Sequence, residues 1–208
     1  MPKRESPLIE LKSFLPEGSF NMVADYLLKY KVHLTITRDR KTVLGNYRNR
    51  IHDKTHRISV NGTLNKYSFL ITLLHELAHL LAFEKYGHKI QPHGREWKNE
   101  YGTILSEFIP KKIFPEAIEQ TLLRTLNSPA ASSCADMELT RVLRPYNIKK
   151  EGVSFVEELQ EGSLFKIKGG RIFKRGARIR TRFKCLELAN GKSWLFSGVY
   201  EVIKVDEN

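Results

Sequence analysis

The longest apolar stretch in the chain, Phe69 to Phe83, is interrupted by Thr72, His75, Glu76 and His79. It falls well short of the roughly 20 apolar residues needed to span a membrane, so it predicts a buried core helix and no membrane partner. On a helix, residues four apart share a face, which sets His75 beside His79 with Glu76 next to them. Burying two imidazoles and a carboxylate among Leu73, Leu74, Leu77, Leu80 and Leu81 costs free energy unless each polar group has a partner. One zinc ion supplies it, because two such histidines can each present a ring nitrogen at about 2.0 to 2.1 Å from a shared metal. In the spacing His75-Glu76-Leu77-Ala78-His79, Glu76 lies beside that position without having to bind, where it can act as a general base.

A catalytic zinc site uses three protein ligands and leaves a fourth position open. Four residues beyond the helix are candidates for the third ligand: His88, His93, Glu96 and Glu100. His93 is preferred, because it follows the Gly87 turn and Pro92 and immediately precedes Gly94, where the chain can reverse and return a side chain over the metal. His88 reads as an exposed loop residue.

Around this helix the pattern predicts an α+β fold. Phe20, Val23, Ala24, Leu27 and Leu28 mark a first helix over 17–30, after Pro16. Three short β-like runs follow at 32–37, 43–48 and 56–60, implying a small sheet. The metal helix covers 65–86 and stops at Gly87; further helices are expected near 94–108 and over 110–127, the latter starting near Pro115. Asn127 to Ser133 is small and polar and reads as a linker. The predicted organisation is therefore a metal domain over 1–127, a linker with a short helix over 128–150, and a small β domain over 151–208 whose strands are punctuated by glycines.

The resemblance that these residues carry is to the SprT/Spartan family of zinc metallopeptidases. It rests on His75-Glu-Leu-Ala-His79, on Gly87-His88, and on Pro92-His93-Gly94-Arg95-Glu96-Trp97-Lys98. Gly45-Asn46-Tyr47 and the strand Arg57 to Val60 resemble the stretch upstream of that family's metal helix, and the likeness covers about residues 17–110. It implies a helix-rich, zincin-like domain with a small sheet whose edge can hold an extended peptide. It also implies one zinc on His75, His79 and His93, with Glu76 as the catalytic base, and a protein or peptide substrate, in some relatives a protein crosslinked to DNA. Many relatives end in a four-cysteine zinc ribbon; this chain, with only Cys134 and Cys185, departs from that pattern.

Charge adds a second expectation. The formal net charge is +12, and residues 141–208 hold 15 Lys/Arg against 8 Asp/Glu. Leu164 to Lys184 carries nine Lys/Arg and no acid. Read as one strand of period two, Arg178, Arg180, Arg182 and Lys184 would share a face and could meet the phosphates of a nucleic acid, with Phe165, Phe173, Trp194, Phe196 and Tyr200 as stacking platforms if exposed. A charged N-terminus without an apolar leader region and the sparse cysteines point to the cytoplasm. The competing function is a nucleic-acid-associated binding factor whose zinc is mainly structural; Glu76 argues against it, since a structural site needs no base.

Overall fold

A computed structural model describes residues 7–38, 40, 43–50, 55–126 and 136–205. The chain divides into two compact units, the first ending at Asn147 and the second starting at Ile148. The linker expected at 127–133 and Cys134 lie outside the described residues.

The first unit contains, in chain order, α1 (Phe20–Lys29), β1 (His33–Thr37), β2 (Gly45–Arg48), β3 (Arg57–Asn61), α2 (Lys66–Tyr86), α3 (Arg95–Phe108), α4 (Glu116–Thr125) and α5 (Met137–Leu143). A short 3-10 helix over Leu8–Phe14, which the sequence pattern does not announce, precedes them. Helix α2 is central. Its N-cap Asn65 accepts a hydrogen bond from the Ser68 N–H at 2.9 Å. Its end is set by Gly87, whose φ of +78° suits a residue without Cβ and whose N–H returns to the Phe83 carbonyl at 2.8 Å. Between these caps nine apolar residues, from Phe69 to Ala82, are buried. Each Leu, Ile or Phe so buried contributes about 1.5 to 3 kcal/mol of transfer free energy, so packing holds the backbone under His75, Glu76 and His79 rigid. Leu139 and Leu143 of α5 join the same core.

The three strands form one sheet in the order β1-β3-β2, with β3 parallel to β1 and antiparallel to β2. Ile58 and Val60 of the central strand face the core. Strand β2 is an edge. The Asn61 N–H bonds the Leu44 carbonyl at 2.9 Å, so by the alternation of an antiparallel ladder the main-chain groups of Gly45 and Tyr47 point away from β3, toward the open side.

The second unit is a six-stranded antiparallel sheet in the order β4-β9-β5-β6-β7-β8: β4 (Val153–Phe155), β5 (Leu164–Lys166), β6 (Ile172–Ile179), β7 (Arg182–Glu187), β8 (Ser193–Ser197) and β9 (Glu201–Val205). Its core is Val156, Leu159, Phe165, Phe173, Phe183, Cys185, Phe196 and Val202. The expectation of a single cationic strand is corrected here. Arg178 is the last residue but one of β6, the chain reverses at Arg180, which has φ +56°, and Arg182 opens β7. Cross-strand partners share a face, so Arg178 lies on the side of Phe183, whereas Arg182 lies on the other with Ile179 and Lys184. The turn escapes a sequence reading because Arg180-Thr181 lacks the Gly, Asn or Asp that usually marks a two-residue reversal.

Among the described residues no helix is long and apolar enough to cross a membrane.

Candidate metal centre

Helix α2 presents His75 and His79 on one face, and the turn before α3 brings His93 to meet them. Gln91 to Gly94 form that turn, closed by the Gly94 N–H on the Gln91 carbonyl at 2.9 Å. Pro92 presets its first corner, and His93 takes the second with φ +57°, a left-handed conformation uncommon for a side-chain-bearing residue. The turn carries this cost, and the His93 ring points back over α2. His93 Nε2 lies 3.0 Å from His75 Nε2 and 3.0 Å from His79 Nε2. These three are the sole convergent cluster of metal-binding side chains among the described residues. His88 is exposed and Glu96 stands outside the cluster; Glu100 is buried, but its carboxylate is taken by Lys85 at 2.8 Å and Tyr86 at 3.4 Å.

Trp97, one turn into α3, is the wall behind the three rings. Fully buried, it packs at 4.6, 5.4 and 4.8 Å between ring centroids against His75, His79 and His93, and Tyr101 stacks on it at 5.0 Å while meeting His75 edge-on at 5.8 Å. Its indole N–H reaches the His75 carbonyl at 3.4 Å. On the sheet side the Tyr47 ring lies parallel to His79 at 6.4 Å. The Tyr47 hydroxyl pairs with buried His56 Nδ1 at 2.9 Å, and His56 Nε2 meets Glu84 at 3.2 Å. Sequence reasoning assigned no role to Tyr47, His56 or Trp97. The available signal was that Tyr47 and Trp97 fall in the stretches that carry the family resemblance.

The donor set fits a single cation. Burial, together with the neighbouring imidazoles, pushes His75 down to about 3; burial and His93 push His79 down to about 4, and burial lowers His93 as well. At neutral pH all three rings are uncharged and have lone pairs to donate. They cannot satisfy one another, because a neutral imidazole has one N–H and a proton can bridge one pair only. Three nitrogens on a tetrahedral ion at 2.0 to 2.1 Å lie about 3.3 Å apart, close to the separations seen.

Glu76 is buried beside this cluster. Burial raises its carboxyl to about 8, opposed by the charge of Arg40 and by a hydrogen bond from the Tyr47 main-chain N–H. In the second unit Phe165, Phe173 and Phe196 are buried, leaving Trp194 and Tyr200 as the partly exposed aromatics of those expected. Arg178, Arg180, Arg182 and Lys184 are exposed around the β6–β7 turn.

Residues 20–114 match the SprT-like family. Comparison with curated proteins and with solved structures gives no match.

Proposed function

We propose that the chain is a zinc-dependent metallopeptidase with a zincin-like catalytic unit. The reading is carried by one observation: His93 in its turn meets His75 and His79 of α2 at 3.0 Å each, beside the buried carboxylate of Glu76 on the same helix. The SprT-like family is linked to zinc and to metallopeptidases, which supports it. His75, His79 and His93 would hold the ion through Nε2. Bound there, zinc supplies Lewis acidity toward the scissile carbonyl and the attacking water. Glu76 takes a proton from that water as its oxygen adds to the carbonyl carbon, and returns the proton to the amide nitrogen as the C–N bond breaks. The open edge of β2 offers the Gly45 N–H and both the Gly45 and Tyr47 carbonyls to an extended peptide, giving affinity with little sequence selectivity.

The cations about the β6–β7 turn are proposed to hold nucleic acid, so that the substrates are proteins associated with or crosslinked to DNA. Support comes from the run of nine Lys/Arg without an acid between Leu164 and Lys184. Charge reversal at Arg178, Arg180 and Arg182 is expected to lower both DNA affinity and its salt slope; an unchanged slope removes this partner. For the peptidase, purified protein is expected to bind about one zinc and to cleave DNA-bound protein, while Glu76→Gln keeps zinc and loses cleavage. Wild-type turnover by zinc-loaded Glu76→Gln overturns the mechanism.

A further inference from the structure

Packing of α2 fixes the backbone of Glu76, but three side-chain torsions remain to be set before its carboxylate has a defined place. Strand β2 sets them. The Tyr47 N–H donates to the carboxylate. At Gly45 the strand comes so close that a Cβ would fall 2.5 Å from Glu76 Oε1, 2.7 Å from Thr72 Cγ2 and 2.9 Å from Glu76 Cγ. The glycine is needed here for space.

A four-residue edge strand needs an anchor of its own if it is to act as a wall, and the anchor is Arg40. Its Nε donates to Asn61 Oδ1 at 2.8 Å and Nη1 to Ser59 Oγ at 3.0 Å. Nη2 reaches the carbonyls of Leu44 and Ser59, each at 3.3 Å. Asn61, fully buried, answers from β3 by donating Nδ2 to the carbonyls of Arg40 at 3.3 Å and Val43 at 3.2 Å. The residue preceding Gly45 is thus tied to the central strand by a planar fork and an amide, with most of the guanidinium's donors engaged. The charge of Arg40 is also felt at Glu76.

We infer that Arg40 is a positioning residue: by fastening Leu44 to β3 it presses Gly45 and the Tyr47 N–H against Glu76 and so sets where the carboxylate lies. Its effect on turnover rests on the peptidase reading; its effect on the wall that Gly45 and Tyr47 form against Glu76 does not, and the two are measured separately.

The first measurement is hydrogen exchange of the Tyr47 amide by NMR in the full-length, metal-free protein, comparing wild type, Glu76→Ala, Arg40→Lys and Arg40→Met. Protection at Tyr47 is expected in wild type and should drop at least about tenfold in Glu76→Ala and in Arg40→Met, with Arg40→Lys in between because an ammonium cannot reproduce the fork. Protection unchanged in Arg40→Met overturns the inference whatever the activity. The second measurement is kinetic, on zinc-loaded protein with confirmed stoichiometry. Arg40→Met is expected to lose about 10- to 100-fold in kcat with KM little changed, the range for groups that orient a site from behind. Lost protection with wild-type kcat also overturns it. Should Arg40→Met not fold, Gly45→Ala displaces Glu76 with Arg40 in place, and must lose Tyr47 protection for the wall to be real. If wild type shows no hydrolysis at all, the peptidase reading falls while the exchange result still decides the positioning.

Discussion

Replacing Glu76 by Gln is expected to stabilise the metal-free protein, by an amount that grows with pH. In the folded chain burial raises the Glu76 carboxyl from 4.5 to about 8. Between these values the unfolded chain has released the proton that the folded chain keeps, so the contribution of this group to stability is fully present below about 4.5 and declines as pH rises through about 8. Each pH unit across that window removes about 1.4 kcal/mol, on the order of 3 kcal/mol by pH 7. Gln has no such titration and can still accept the Tyr47 N–H. Urea unfolding of metal-stripped wild type and Glu76→Gln from pH 5 to pH 8 is the assay, with the difference between the two proteins as the readout. The histidines, whose lowered values make stability fall as pH drops below 6.5, act in both proteins and cancel. The gap should be small at pH 5 and open steadily toward pH 8, and added zinc should close it, because a cation beside the carboxylate favours its charged form. A gap that stays constant with pH would refute the reasoning, since Glu76 would then be ionised in the fold at no cost.

Three further outcomes follow from the same geometry. Trp97→Ala empties the wall behind the three imidazoles; a loss of about 3 to 5 kcal/mol in urea unfolding is expected, together with weaker zinc binding by titration. His93→Ala should lower zinc occupancy sharply in elemental analysis, whereas His88→Ala should leave it at the wild-type value; the reverse result would reassign the third ligand. In the second unit, hydrogen bonds from Arg171 at 2.6 and 2.7 Å, with Asn190 and the Trp194 indole each at 3.0 Å, hold Glu187 down to about 2. Its contribution to stability is present above about 4.5 and lost as pH falls through about 2. Fluorescence of Trp194, isolated by Trp97→Phe, should therefore be flat from pH 7 to 3 and change only below; a midpoint near 4.5 would contradict the network.

Much of the first unit was legible because its signals are local. An apolar run that stops at Gly87 places α2, expected over 65–86 and found at Lys66–Tyr86, within a residue, and HExxH then sets two histidines side by side with a glutamate next to them. Pro92-His93-Gly94 is likewise a turn with its own chemistry, so the return of His93 could be anticipated. The β6–β7 reversal had no such mark: Arg180-Thr181 carries no turn residue, and the alternating cations read as one strand until the register separated Arg178 from Arg182.

What the sequence by itself determined, then, is what depends on spacing along one element: the helix, the shared face of His75 and His79, the reach of Glu76, and the excess of cations toward the C-terminal end. What only the tertiary structure decided is what depends on distant segments meeting. Glu76 lies against Gly45, Tyr47 lies between His79 and His56, and Arg40 is fastened to Asn61, 21 residues on. Periodicity reports which face of an element is buried, not which neighbour buries it. The group that sets a buried carboxylate in place is chosen by packing across the fold, and that choice becomes visible only when the strands have found their register.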